Sequence, residues 1–285
     1  MISVVIPAKD EERAIVETVR EVRSALDGME YEIIVVDDGS VDATAERAQS
    51  AGAKVVRHLY NLGYGAAIKS GIRAAEYDTI GITDGDGTYP NDMIPVLLEK
   101  YRQGYDMVVG ARTGANYLES PLKAPLRLIL KYLVEYTVGR KIPDVNSGLR
   151  VFSKKTAVSF FNHLSNSFSF TTSITMAYML NNRFVAYVPI PYRKRIGKTK
   201  VRLFRDSLRT IQIMIESVTY FNPLKIFLLL SALIFIASAI GLVANIVLHV
   251  TLIYYVGIGG VLMAMQIFGL GLLAVLLKSI LDQGR

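Results

Sequence analysis

Short apolar runs alternate with helix-period segments through the first hundred residues, and three of those runs end on carboxylates. Residues 2–6 read as a buried strand that stops at Pro7-Ala8-Lys9-Asp10. Residues 11–26 then set Ala14, Ile15, Val19, Val22 and Leu26 at helical spacing. The strand over 31–36 runs into Asp37-Asp38-Gly39-Ser40-Val41-Asp42. A helix over 43–50, a strand over 54–57, a loop over 60–65, a helix over 66–75 and a strand over 79–83 follow. This alternation confines the segment to a parallel, doubly wound sheet. Ligands of such sheets sit at the carboxyl ends of the strands. Asp10, Glu12, Asp37, Asp38, Asp42, Asp84 and Asp86 all fall there, which argues for one acidic rim over a scatter of solvated loop residues.

The stretch Asp84-Gly85-Asp86-Gly87-Thr88-Tyr89-Pro90 carries the chemistry. Two carboxylates at i, i+2 at the end of an extended segment can turn toward one point, and hard oxygen ligands suit Mg2+ or Mn2+, which also bind phosphate. The same residues are also ordinary turn formers. A calcium-binding EF-hand loop is excluded, because counting from Asp84 places Tyr89 at the sixth position and Pro95 at the twelfth, where glycine and glutamate are needed. Gly63-Tyr64-Gly65 is a partial glycine fingerprint with Ile68 in the third glycine's place. It reads less as a dinucleotide site than as a helix N-terminus brought close to a phosphate or to the sheet.

Charge divides the chain. Residues 1–120 hold 12 Lys/Arg against 20 Asp/Glu, and residues 121–285 hold 20 against 5. The basic half contains Arg193, Lys194, Arg195, Lys198, Lys200, Arg202, Arg205 and Arg209, followed by two charge-free runs of 23 and 26 residues at 226–248 and 252–277. Each run reaches the ~20 residues needed to cross a bilayer. That combination points to an anionic membrane surface or a lipid phosphate, and away from nucleic acid. The three-residue link at 249–251 forces a hairpin. Lys225 before it, and Lys278 and Arg285 after it, assign both ends to the cytoplasmic side, and the apolar start at 1–6 lacks the basic lead of a secretory signal. Gly257, Gly259, Gly260, Gly269 and Gly271 suit close packing within the hairpin or between protomers. The absence of cysteine removes thiolate catalysis and zinc-thiolate sites.

Between these halves the spacing predicts a helix over 93–103, a strand over 107–112, an amphipathic helix over 125–138, a turn-rich link over 144–150 and a largely helical, structural segment over 160–180. A further amphipathic helix runs from 204 to 221.

Taken together, these residues resemble the family 2, GT-A fold glycosyltransferases, and within them the polyprenyl-phosphate glycosyltransferases of the dolichol-phosphate mannose synthase type. The similarity runs through the opening strand and acidic turn at 4–12, the signature at 36–44, the loop at 61–66 with Gly71, the acidic pair Asp84 and Asp86, Gly110-Ala111-Arg112, the turn at 144–150 and the basic loop at 195–200. It implies a Rossmann-like α/β domain with a mixed sheet over 1–203, a juxtamembrane amphipathic helix over 204–223 and a transmembrane hairpin over 224–285. It also implies inverting transfer of one hexose from a GDP-mannose or UDP-glucose type donor to a polyprenyl or dolichyl phosphate. The cofactor is Mg2+ or Mn2+ on Asp84 and Asp86. Donor contacts fall to Pro7, Ala8, Asp10, Glu12, Val36, Asp37, Asp38, Lys69, Asp84, Gly85 and Asp86. The acceptor phosphate falls to Arg112, Ser147, Arg150, Arg195 and Lys200, and the catalytic set is Asp84, Asp86, Arg112 and Lys200. The resemblance places the chain as a multi-pass protein of the cell membrane with its catalytic domain cytoplasmic, and with the hairpin as the site of any self-association. Two positions depart from the family pattern: Thr88 replaces a common glutamine, and Pro143 a basic residue. With no tryptophan, the Gln-x-x-Arg-Trp sequence of processive polysaccharide synthases is absent. A diacylglycerol acceptor and a non-catalytic nucleotide-sugar-binding protein are the remaining alternatives.

Overall fold

A computed structural model of the 285-residue chain describes residues 1–114, 131–132, 134–195, 212, 215–216, 219–220 and 222–283. The chain divides into two compact units, Met1–Met214 and Ile215–Arg285. Lys200, Gly197, most of the 204–221 segment and half of the 125–138 segment lie outside the described residues; within the latter, 131–132 and 134–138 are helical.

The first unit begins with the alternation expected from its apolar runs: β1 (Ile2–Ala8), α1 (Ile15–Ala25), β2 (Tyr31–Asp37), α2 (Thr44–Ser50), β3 (Lys54–Arg57), α3 (Tyr64–Ala74) and β4 (Thr79–Ile82). It continues with α4 (Ile94–Arg102), β5 (Met107–Thr113), β6 (Arg150–Ser153), α5 (Lys154–Ser159), α6 (Phe170–Leu180) and β7 (Val185–Pro191). The seven strands form one sheet in the order β3-β2-β1-β4-β6-β5-β7. β1, β2, β3 and β4 are parallel, as are β5 and β7, whereas β6 runs antiparallel to both β4 and β5. The sheet is therefore mixed, as the resemblance implied.

The period-2 alternation of β1 decides which helix lies where. Ile2, Val4, Ile6 and Ala8 pack in one apolar cluster with Ile15, Val19, Val22 and Leu26 of α1 and Leu97 and Leu98 of α4. The opposite face meets α3 at Gly71, where a Cβ would stand 2.3 Å from Val5 Cγ1 and 3.0 Å from Val36 Cγ2. Val36 is thus a fully buried packing residue of the sheet interior. Two sequence expectations change. The helix expected over 160–180 is confined to α6, preceded by a 3-10 turn at Phe161–His163 and a loop over 164–169. β7 has no counterpart in the sequence reading, because its alternation is interrupted by Pro189 and Pro191.

The second unit is a helical hairpin, α7 (Pro223–Leu248) and α8 (Thr251–Gln283). His249 turns the chain with φ of 48° while its N–H donates to Asn245 O. The seam is narrow. Ser231 Oγ donates to Ala264 O at 2.9 Å, and a Cβ on Gly271 would stand 2.6 Å from Phe227 Cβ. Gly257 and Gly260 also face α7, whereas Gly259 and Gly269 have nothing within 4 Å where their Cβ atoms would be. Leu233, Ile240, Val247, Leu252, Leu262 and Met265 are each more than half exposed. Stretches of 26 and 30 residues of these helices are long and apolar enough to cross a membrane.

Candidate active site

The carboxyl ends of β1, β2 and β4 open onto a cavity of about 530 Å3. That volume falls within the ~300–1,000 Å3 typical of small-molecule sites. Pro7, Ala8, Asp10, Asp38, Asp84, Gly85, Asp86 and Arg195 line it, together with Lys9, Glu11, Asn61, Gly63, Tyr64, Ser167 and Phe168.

β1 delivers the first group. Beyond Ala8 the chain turns sharply at Asp10, whose φ is 46° and whose Oδ1 accepts from Val41 N at 2.9 Å. The turn sends Glu11, not Glu12, toward the pocket, where its carboxylate pairs with the Arg195 guanidinium. Glu12 Oε2 accepts instead from Ala43 N at 3.4 Å, within the second acidic turn. The end of β2 is equally well tied. Asp37 Oδ1 accepts from Ser40 N at 3.0 Å. Asp38 Oδ1 accepts from Leu62 N at 2.8 Å and lies 2.8 Å from His58 Nδ1, and its Oδ2 accepts from Gly63 N at 2.9 Å. Asp38 therefore organises the 58–63 loop as well as facing the cavity.

β4 delivers the acidic pair. Asp86 Oδ1 accepts from Thr88 Oγ1 at 2.6 Å and Thr88 N at 3.1 Å, while its Oδ2 lies 3.2 Å from Arg195 Nη1. Asp84 Oδ1 accepts from Tyr64 Oη at 2.7 Å. Gly148 also packs on it, and a Cβ there would come within 2.8 Å of Asp84 Oδ1. Burial first, and then the charge of Asp86, push the Asp84 pKa up to about 7, against the opposing pull of Tyr64, Arg112 and Arg195. Asp84 and Asp86, two carboxylates that repel each other in a buried cleft, are the residues that could hold a divalent cation, and Arg195 lies on one of them. Among the described residues no group of three or more acidic or imidazole side chains is gathered for a metal. A cation there would take its remaining oxygens from a phosphate or from water.

The residues expected at the acceptor divide. Arg112 Nε and Nη2 donate to Asp144 at 2.7 and 2.9 Å, and its guanidinium lies 5.3 Å from the centre of the Tyr192 ring. Burial alone would raise the Asp144 pKa, but the hydrogen bonds and charge of Arg112 hold it below the ordinary carboxylate value. Arg150 is fully buried, and the structure does not bring it to the cavity. Its guanidinium donates to Ser147 O, Val145 O and Thr175 Oγ1 at 2.7, 2.8 and 2.6 Å, so its charge holds the 145–147 turn together. Ser147 is also fully buried, and its hydroxyl has no hydrogen-bond partner among the described residues.

Lys69 likewise faces inward, donating to Leu164 O at 2.6 Å and Asn166 Oδ1 at 2.7 Å, and burial pushes its pKa down to about 8. It anchors the 164–168 loop in place of a donor. The same loop receives the start of α3: Ala66 N donates to Asn166 O at 3.1 Å, and a Cβ on Gly65 would stand 2.3 Å from Ser165 O. The paired glycines, expected to bring the helix N-terminus close to a phosphate or to the sheet, bring it against a backbone loop. That loop carries Phe168, which stacks on Tyr64 with ring centres 5.5 Å apart. Sequence reading missed Glu11, Tyr64 and Phe168. The acidic and aromatic side chains were visible, but the turn geometry that aims them was not.

The family profile described as "Glycosyl transferase family 2" matches residues 3–160. The chain is 28% identical over 204 residues to a protein named dolichyl-phosphate hexose transferase from Haloferax volcanii, covering 71% of this chain and 87% of that one. It is 36% identical over 115 residues to a dolichol-phosphate mannosyltransferase from Pyrococcus furiosus, covering 39% of this chain and 33% of that one. Among solved structures, glucosyl-3-phosphoglycerate synthase from Mycobacterium tuberculosis, crystallised with Mn2+, UDP and glucosyl-3-phosphoglycerate, aligns with a TM-score of 0.60 at 22% identity. The alignment covers 76% of this chain and 80% of that one.

Proposed function

The chain belongs to glycosyl transferase family 2, and from that premise we propose that it transfers a single hexose, with inversion, from a nucleotide diphosphate sugar to the phosphate of a polyprenyl or dolichyl carrier. The observation that carries this reading is the meeting of Asp84, Asp86 and Arg195 in one cavity at the strand ends. A paired carboxylate and a guanidinium are the groups a diphosphate and its cation require. Relatives named for dolichyl-phosphate hexose transfer and dolichol-phosphate mannosyl transfer support the acceptor class. The two apolar helices support a membrane location for it.

In this reading Asp84 and Asp86 hold Mg2+ or Mn2+, and Pro7, Ala8, Asp10 and Asp38 form the wall against which the nucleoside lies. A divalent cation, when bound, neutralises the diphosphate and stabilises the departing nucleotide. Arg195, already between Glu11 and Asp86, is the side chain best placed to meet a phosphate oxygen. Arg112, oriented by Asp144, adds a second positive charge, and Lys200, five positions after Arg195 in the sequence, is assigned the third. An acceptor phosphate has a second pKa near ~6, so it arrives as the nucleophile and needs no strong general base. Glu12, Asp37 and Lys69 support the loops that shape the site, and Arg150 with Ser147 supports the turn that packs Gly148 on Asp84. The catalytic unit lies on the cytoplasmic face, with both chain ends on that side.

The test uses detergent-solubilised full-length protein, polyprenyl phosphate, Mg2+ or Mn2+, and a panel of labelled UDP- and GDP-sugars. We expect label to enter the lipid phase with one donor, to be abolished by EDTA, and to fall by at least about a hundredfold in Asp86→Asn, the scale of losing a principal electrostatic contact in the transition state. Transfer that persists in EDTA would overturn the metal-dependent reading.

A further inference from the structure

Tyr64 is the first residue of α3, and nothing in the family resemblance assigns it a role. Its Oη donates to Asp84 Oδ1 at 2.7 Å, and its ring stacks on Phe168, at 18° to parallel. Thr88 makes the matching contact on the other acid, with its hydroxyl 2.6 Å from Asp86 Oδ1. Each carboxylate of the pair therefore has one oxygen fixed by a hydroxyl group. For Asp84 the constraint is tighter, because Gly148 packs so closely on the carboxylate that a Cβ there would stand 2.8 Å from Oδ1 and 3.0 Å from Oδ2. A carboxylate held by a hydroxyl donor and packed against backbone has little rotational freedom left to lose on binding a cation.

We propose that Tyr64 is a positioning residue for the divalent cation: its hydroxyl fixes one oxygen of Asp84 so that the other is presented to the metal, and Phe168 locks the ring that carries that hydroxyl. The proposal rests on the metal-dependent reading of the site. Hydrogen bonds of this kind to ligand atoms govern metal affinity strongly, and their removal typically costs ~10–100-fold.

Tyr64→Phe separates this role from packing, since it deletes one oxygen and keeps the ring and its stack. The measurement is Mn2+ affinity of the full-length protein, read from the electron paramagnetic resonance signal of free Mn2+. UDP and GDP affinity in EDTA and the thermal unfolding midpoint are followed alongside. The expected result is Mn2+ binding weakened by about 10- to 100-fold with metal-free nucleotide affinity and unfolding midpoint unchanged. In an Asp84→Asn background, Tyr64→Phe should add no further loss, because the two side chains act as one unit. Mn2+ affinity within about twofold of wild type would overturn the proposal. So would a parallel loss of metal-free nucleotide binding, or an additive loss in the double variant. If the wild-type protein itself bound no Mn2+ with or without nucleotide, the metal-dependent function would fail and this role with it. Normal wild-type binding with a silent Tyr64→Phe would remove Tyr64 alone.

Discussion

Asp84 gives the site a pH signature that can be worked out in sign. Its pKa of about 7 lies above the ordinary carboxylate value near ~4, so the fold resists its ionisation. The metal-free protein should lose stability from this group as pH rises from about 4 to about 7. A cation that binds the ionised form competes with that proton. Mn2+ affinity should therefore climb by up to about tenfold per pH unit below 7 and level off above it, and Asp84→Asn should flatten the profile in a titration from pH 5.5 to 8. A second residue-level outcome concerns Arg112 and Asp144, whose side chains are 15% and 1% exposed. Breaking a buried pair on one side costs about 3–5 kcal/mol, so Asp144→Ala should lower the free energy of denaturant unfolding by that order. At this scale the sequence is read well for residue type and poorly for aim. Asp84, Asp86 and Arg195 were legible because they follow strand ends or precede apolar spans. Glu11 and not Glu12 lines the cavity because Asp10 enters the left-handed region and breaks the parity of the strand before it. Arg150 was misplaced because no periodicity marks a cation that satisfies three buried acceptors.

Among the elements, α3 binds fold and site together most closely. It crosses the sheet at Gly71, starts at Tyr64 beside Asp84, and sends Lys69 under the 164–168 loop. Gly71→Ala would press a methyl group into Val5 and Val36, and overpacking of this kind costs about 1–3 kcal/mol. The expected readout is a lower unfolding midpoint, with nucleotide binding retained below it. The parallel half of the sheet was legible because buried parallel strands are continuous apolar runs separated by amphipathic helices. The reversal of β6 was not, since four residues over 150–153 carry no mark of direction. β7 was hidden by its prolines. Among the described strands it pairs with β5 alone, which puts it at the edge of that sheet, where a strand tolerates prolines. The 160–169 segment looks helical in sequence because it is rich in apolar residues, whereas Ser165 and Ser167 make the local hydrogen bonds of a loop and Asn166 accepts from Ala66 N and Lys69 Nζ.

For the whole molecule, a glycosyltransferase unit and a hairpin with extensive apolar exposure are carried on one chain. Large side chains such as Ile240, Val247 and Leu262 would be poorly accommodated in water. The protein is expected to stay in the membrane pellet through an alkaline wash and to enter solution with detergent, and release by the alkaline wash alone would contradict a spanning hairpin. The division of charge between the halves made this plan legible from composition, while the identity of the sugar is written in cavity shape that no motif encodes. Whether the sugar ends on a lipid phosphate is decided by mass and NMR analysis of the lipid product formed from polyprenyl phosphate. The expected product carries one hexose joined through a phosphate oxygen, with the anomeric configuration opposite to that of the donor. Free hexose, a retained configuration, or sugar on a lipid without phosphate would contradict it.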